Sequence, residues 1–390
     1  MKILRPFATI LMIVLVVALA AGTVVEKFHG SDFALENVYD TWWFIALWAL
    51  FAIAAAAVTF REKNWRRPEA LTPFLAVVFI LLGALLTKFT GVHGRMMLEP
   101  NKPVSSFFIK ELDNVAKEDL PFSLTLDRFE IETYQGSSKP KDYVSYLRLS
   151  DGETARDEVI SMNNILNYKN YRFYQSDYDE QGNSILDVAY DPWGIGVTYA
   201  GYALLFIGLA IVLFKQRKTV KAVTWSWLSV LVVLLVLLYV RMLTHQLLPV
   251  LRSPFFSLHI STIVTAYALL LAIMVVGIVA LFRPRDLVRA ERLRNISVAM
   301  LYPAVALLAA GIFIGAIWAN VSWGNYWSWD PKEVWALITL LIYGMPLFPG
   351  VFKSFGKPLF FHVYCILAFL SVIITYFGVN LILGGVHAYQ

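Results

Sequence analysis

Apolar runs about as long as a lipid hydrocarbon core is thick constrain this chain of 390 residues more than any other feature. They fall at about residues 7–24, 42–60, 71–90, 193–214, 223–243, 258–282, 296–319, 334–351 and 358–383. A helix rises about 1.5 Å per residue, so roughly 20 apolar residues cross the roughly 30 Å of hydrocarbon. There, a backbone can satisfy its own polar groups only as a helix or a closed barrel. Charged residues make up 16% of the chain, against about 25% in an ordinary soluble domain. The expectation is an α-helical polytopic membrane protein with about nine transmembrane helices. The first run, ILMIVLVVALAAG, has the small-residue end of a signal peptide. The polar stretch after it is short and leads straight into the second run, so it is read as a retained anchor.

Lysine and arginine in short loops set the orientation. Lys2 and Arg5, then Arg61, Lys63, Arg66 and Arg67, then Lys215, Arg217, Lys218 and Lys221 occupy alternate loops. Arg283, Arg285, Arg289, Arg292 and Arg294 follow, then Lys353 and Lys357. That face is expected in the cytoplasm, which puts the N-terminus inside and the C-terminus outside. The net charge of +5 is mostly this signal. No basic patch is interleaved with aromatics on a soluble surface, so no nucleic-acid partner is expected. A single cysteine, Cys365, excludes an intrachain disulfide and a CxxC redox carrier.

Residues 91–192 are not apolar enough for the membrane. FSLTLDRFEIETY and DYVSYLRLSD alternate polar and apolar residues, the period of half-buried strands. QGNS at 181–184 is a turn signal between RFYQSDYD and ILDVAY, which predicts a hairpin. A small β-rich extracytoplasmic domain is therefore expected between helices three and four. The chain divides into residues 1–221, with four spans and the outer domain, and residues 222–390, with five spans and short loops.

The second part carries WGNYWSWDPKEVW at residues 323–335, on the expected outer face. Aromatic belts also place Trp and Tyr at headgroup level, but scattered around helices. Here Trp323 and Trp327 are four apart and would share one face of a helix, with Trp329, Asp330, Lys332 and Glu333 following at once. A flat apolar platform with a polar rim suits a large planar ligand with charged edges, such as a porphyrin stacked on indoles. An iron porphyrin needs ligands, and neutral imidazole is the commonest metal ligand. Of six histidines, His259 in SPFFSLHISTIVTAY and His387 in GVNLILGGVHAYQ fall at one expected membrane depth beside the tryptophans. His362, after KPLFF, is expected to be solvated at the cytoplasmic end of its span. His29, His93 and His245 are outer-loop residues with no supporting pattern.

WGNYWSWDPKE resembles the tryptophan-rich WWD motif of haem-handling proteins in cytochrome c maturation. With AIWAN before it and VWALITLLIYG after it, the segment is similar to the CcsA branch of System II. LHIS with Tyr267 downstream resembles that family's first external histidine segment, and FGVNLILGGVHAYQ its closing one. YDTWWFIALWAL, ILLGALLTKFTGVHGRMML and the stretch from YRFYQSDYDEQGNS to the fourth span resemble ResB, also called CcsB. The whole chain resembles a compact fusion of CcsB to CcsA.

The resemblance implies haem b, iron protoporphyrin IX, as bound substrate, with His259 and His387 on the iron. It implies Trp323, Gly324, Tyr326, Trp327, Trp329 and Asp330 as the haem-binding segment, with Asp330 orienting the motif or a substrate amide. It implies thioether formation with the CXXCH thiols of an apocytochrome c. The expected setting is the bacterial inner membrane, with lipid around the spans, the motif periplasmic, and thioredoxin-like thiol reductants as further partners. One departure stands out: the family's two histidines within the membrane correspond by register to Phe74 and Phe348. Two other readings stay open, a haem exporter or chaperone without ligase activity and a transporter with a Trp-rich gate.

Overall fold

The computed structural model describes residues 4–61, 63–111, 114–348 and 352–384. Helix α1 (Leu4–His29) is followed by a single turn, α2 (Ser31–Ala34), and a π-helical turn, Leu35–Tyr39. Then come α3 (Trp42–Arg61) and α4 (Pro68–Thr90). After eight strands the chain continues as α5 (Gly194–Lys215), α6 (Arg217–Thr244), α7 (Pro254–Leu281), α8 (Leu287–Trp323) and α9 (Pro331–Gly344). The last helix, α10 (Pro358–Ile373), runs on as a π-helical segment, Ile374–Leu383.

Among the described residues, eight helices are long and apolar enough to cross a membrane, not nine. The run at 334–351 departs from the expectation. Its helix, α9, has 14 residues, about 21 Å at 1.5 Å per residue and short of the roughly 30 Å of hydrocarbon. A 3₁₀ turn with Pro346 replaces its continuation, because proline cannot donate to the helical ladder. The start of α9 lies beside the end of the chain's last helix, where Lys332 Nζ donates to Asn380 Oδ1 at 2.7 Å. Its end lies beside the early turns of α10, where the Tyr364 hydroxyl donates to the Ile342 carbonyl at 2.9 Å. The short helix and the turns after it thus lead back along α10.

The strands are β1 (Val92–Leu98), β2 (Pro103–Glu111), β3 (Asn114–Thr133), β4 (Pro140–Asp151), β5 (Thr154–Ile160), β6 (Leu166–Tyr168), β7 (Tyr171–Tyr178) and β8 (Ser184–Tyr190). They form one sheet in the order β5-β4-β3-β2-β1-β8-β7-β6, with every neighbouring pair antiparallel. The alternation read in the sequence is the inward set: Leu98, Phe107, Leu124, Leu126, Phe173 and Leu186 are fully buried in one core. β7 and β8 are the hairpin around residues 179–183. β1 pairs with β8 from Val92↔Tyr190 to Leu98↔Ser184, so the domain's first and last strands lie together.

That pairing also places the end of α4 beside the start of α5. Thr87 Oγ1 donates to Asp191 Oδ2 at 2.6 Å, and Asp191 Oδ1 accepts from the Gly194 amide at 2.7 Å. Gly194, Gly201 and Gly208 recur every seven residues along α5, and a Cβ on each would meet Thr87, Ile80 and Thr72 of α4 closer than 3.0 Å. Close backbone approach through small residues is how helices associate where lipid removes the hydrophobic drive. Gly201→Leu would force these helices apart at a cost of about 1–3 kcal/mol. The expected result is a lower thermal unfolding midpoint in detergent, with the far-ultraviolet helix signal retained below it.

Candidate functional site

Two glycines one turn apart on α8 begin the site. A Cβ on Gly311 would lie 2.7 Å from Ile263 Cδ1, and one on Gly315 would lie 2.6 Å from His259 Nδ1. The GxxxG spacing lets α7 lie directly on α8 and leaves a slot for the His259 ring. That ring's Nδ1 lies 2.7 Å from the Gly311 carbonyl oxygen. A carbonyl only accepts, so the contact requires the proton on Nδ1 and leaves the lone pair on Nε2, the arrangement of a metal-ligating histidine. The ring also stacks at 6.4 Å and 24° on Trp318, which is 2% exposed.

His259 is one wall of a cavity of about 380 Å³ bounded by α7, α8, α9 and the π-helical end of the chain's last helix. Ile260, Ile263, Val264, Ile312 and Ala316 make it apolar, and Tyr326, Trp327, Lys332 and Asn380 make one side polar. Among the described residues, the Tyr326 hydroxyl, Trp327 Nε1 and Trp318 Nε1 are buried without a hydrogen-bond partner. These donor atoms are themselves sealed from the cavity, although their side chains line it. Burial raises the Tyr326 pKa, so its hydroxyl stays protonated; burial lowers that of Lys332, against a smaller opposing effect of Asp330.

The tryptophan-rich segment is not helical across its middle, which corrects the shared face expected for Trp323 and Trp327. Helix α8 stops at Trp323, because Gly324 takes a left-handed φ of 88°. Residues 324–330 then form a loop that turns its aromatics in different directions. Trp323 packs edge-on against Trp318 at 5.1 Å. Tyr326 packs edge-on against Tyr199 and Tyr202 of α5 at 5.9 and 6.0 Å. Trp327 lines the cavity.

Trp329 does not join the platform. Its backbone is left-handed, with φ 59°, a strain of about 1–2 kcal/mol for a side chain with a Cβ. Its ring stacks on Tyr39 at 4.8 Å and 6°, and meets Phe44 edge-on at 5.2 Å. Asp330, 2% exposed, is the N-cap of α9, its Oδ1 accepting from the Lys332 amide at 2.8 Å. It holds the segment's shape and is not on the cavity wall. Glu333 accepts from the Ser328 amide at 2.9 Å and ties the loop to the same helix.

His387 lies outside the described residues. His362, expected to be solvated, is fully buried, with Nε2 3.1 Å from the Ala290 carbonyl. The reason is the length of α8: its 37 residues bring its first turn over the start of α10. His29 stacks on Phe33, His93 sits in β1 opposite Ala189, and His245 contacts Thr244. Phe74 is half-buried on α4, and Phe348 is 60% exposed.

Several residues here were not singled out from the sequence. Asn320 joins the β domain to the site: its Oδ1 accepts from Arg172 Nη1 at 2.6 Å, and its Nδ2 donates to the Gly324 carbonyl at 3.0 Å. Ser322 Oγ donates to Asn163 Oδ1 at 2.9 Å. The GIFIG spacing at 311–315 was a legible signal for close helix packing, and Asn380 was legible as a polar residue inside an apolar run. Asn320 and Arg172 had no such signal.

A family model described as "Cytochrome C assembly protein" matches residues 195–387, and one described as "ResB-like family" matches residues 62–186. Protein NrfI of Wolinella succinogenes is 36% identical over 152 residues, 37% of this chain and 17% of that protein. The cytochrome c biogenesis protein CcsA of Cyanophora paradoxa is 45% identical over 100 residues, covering 25% of this chain and 30% of that protein. CcsA of Synechocystis sp. is 44% identical over 108 residues, covering 27% and 31%. The chain thus matches between 17% and 31% of the length of these relatives.

Asn320→Leu removes the partner of Arg172 and of the Gly324 carbonyl. Leaving buried polar groups unpaired costs about 1–3 kcal/mol. The expected outcome is a lower unfolding midpoint and faster proteolysis of the loop at 324–330, read by mass spectrometry of the fragments.

Proposed function

This chain belongs to the ResB–CcsA family of System II cytochrome c biogenesis proteins, and from that premise we propose that it binds haem b at the outer membrane face and attaches it to the CXXCH thiols of an apocytochrome c. The observation that carries the proposal is His259, held by Nδ1 to the Gly311 carbonyl on the wall of the cavity that Trp327 also lines. His259 would bind the iron through Nε2, and His387 would supply the second ligand. Trp327 offers an indole against the porphyrin ring, and Trp318 supports the His259 ring.

In the bond-forming step each cysteine S–H adds across a haem vinyl group. Sulfur bonds to one vinyl carbon, the proton goes to the other, and no net oxidation occurs. Positioning is the protein's main contribution, and orientation alone can be worth about 7–11 kcal/mol of barrier. The reacting groups belong to the cofactor and the cysteines. Asp330 acts by capping α9 and shaping the loop. The β domain, tied to the end of α8 through Asn320 and Ser322, would guide an unfolded cytochrome segment. Phe74 and Phe348 offer no ligand atom, so transfer of haem from the cytoplasmic side would proceed without that histidine pair. The inner membrane of a bacterium, with the N-terminus cytoplasmic, is the setting this reading requires.

Co-expression with a CXXCH reporter in a host lacking its own maturation system tests the proposal. Covalent haem on the reporter is expected with the natural sequence, and at least a ten-fold loss with His259→Ala or His387→Ala. Haem copurifying with the chain while the reporter stays unmodified would favour a haem carrier instead. Absence of haem from both would reject the haem reading.

A further inference from the structure

A second cavity, of about 520 Å³, lies between the early turns of α6 and α8, at an end of the helices rich in arginine and lysine. It is an open groove with a polar end and an apolar end. Thr219 of α6 and Glu291, Arg292 and Asn295 of α8 line the polar end. Ala222 and Val223 of α6 and Ile296 of α8 line the rest, with Ala299 furthest along. From Arg292 to Ala299 the helix advances about 10 Å, at 1.5 Å per residue. Trp225, 77% exposed on α6 just beyond these residues, is the kind of side chain that sits at headgroup level.

The charge of this region has one sign. Residues 217–223 and 286–299 carry six lysines and arginines against two carboxylates, Asp286 and Glu291. Asp286 caps α8 at the Arg289 amide. Glu291 accepts from Arg294 Nε and Nη2 at 3.0 and 2.5 Å. Among the described residues, the Arg292 guanidinium meets no carboxylate and no other acceptor. The protein also covers α6 thinly, since Val220 alone of its 28 residues is buried. Its side-chain hydrogen bonds stay within the helix or reach residues beside its ends. Among the described residues, no polar side chain joins α6 to α8, and the groove lies between these two helices.

We propose that this groove binds a phospholipid with an anionic headgroup, its phosphodiester against Arg292, Asn295 and Thr219 and an acyl chain over Ala222, Val223 and Ile296. A guanidinium pairs with phosphate oxygens in a fork, and an amide and a hydroxyl can donate to the others. Basic pockets between membrane helices hold such headgroups. A zwitterionic lipid brings the same phosphate with a cation attached, and that cation meets the excess positive charge of these turns. The groove therefore selects for net negative charge. Among the described residues, no imidazole, thiol or thioether lines it, so it offers an iron porphyrin no axial ligand. The lipid acts as a clamp that holds α6 on α8, and the proposal does not depend on the haem reading.

The test uses the full chain, purified in detergent and stripped of lipid, with phosphatidylglycerol or phosphatidylcholine carrying a photoreactive diazirine in one acyl chain. Crosslinked peptides are located by mass spectrometry. Phosphatidylglycerol is expected to label residues 217–227 and 287–300, about ten-fold more strongly than phosphatidylcholine, the range of a charge-assisted hydrogen bond. Arg292→Gln should bring that ratio close to one, and Arg292→Lys should keep most of it. Ala222→Phe fills the apolar end and should abolish labelling here by both lipids; Ala222 is exposed, so the change leaves the buried core alone.

Equal labelling of the natural sequence by both lipids overturns the proposal, as does labelling spread over the helices without concentration at this groove. So does a ratio that is unchanged in Arg292→Gln. If Arg292→Gln cannot be purified folded, Ala222→Phe decides, and undiminished labelling there overturns the proposal. Displacement of the photolipid by an equal concentration of inorganic phosphate or of iron protoporphyrin IX would assign the groove to a free anion or to haem and overturn the lipid assignment.

Discussion

The packing of α7 on α8 at Gly311 and Gly315 sets the geometry of the site. Any larger residue at Gly315 would occupy the position of the His259 ring. With glycine there, the histidine lies flat against the helix, and a carbonyl of the same helix determines its tautomer. The cavity lies beside this contact, bounded by α7, α8, α9 and the end of the last helix. α8 can serve as the central post because it is the longest of the described helices and is largely buried. Lipid is as apolar as a leucine side chain, so close van der Waals packing and a few polar contacts must supply what the hydrophobic effect supplies in water.

α9 gives the site its second side. Lys332, Glu333 and Ala336 line the cavity, while Val334 and Ile338 are buried against Leu15, Leu19, Tyr39 and Phe44 of the first helices. Trp335 Nε1 donates across the same seam to Thr23 Oγ1 at 3.2 Å. Trp329, in its left-handed backbone, packs on both Tyr39 and Phe44, which also meet each other edge-on, and ties the loop to the N-terminal helices. The first helices and α9 therefore share a core behind the tryptophan-rich segment. Burial of these rings offsets the backbone strain at Trp329, since aromatic pairs add about 0.5–1.5 kcal/mol beyond area.

The β domain makes the third connection. Its central strands β1 and β8 leave the membrane side by side, and its Arg172 and Asn163 reach Asn320 and Ser322 near the end of α8. Tyr134 and Asn163 also bond the loop before α7 at Leu247 and Pro249. The domain is thus held at two places, the end of α8 and the loop before α7.

The sequence by itself determined the class and the local elements. Apolar runs of membrane length specify helices, because hydrocarbon leaves the backbone no other way to satisfy its hydrogen bonds. Period-two alternation specified the strands of residues 91–192, and the residues WGNYWSWD resembled the family to which the chain belongs. The tertiary structure alone decided which tryptophans meet the cavity. Spacing suggested one platform, but a left-handed glycine ends α8 at Trp323, and packing against Tyr39 claims Trp329. It also decided that Asp330 is a cap, that His362 is buried, and that the run beginning at 334 forms a short helix ending at Gly344 with a turn at Pro346 after it. These outcomes depend on contacts between residues far apart in the chain, such as Trp335 with Thr23, 312 positions away. A periodicity read along one segment carries no information about which partner packs against it.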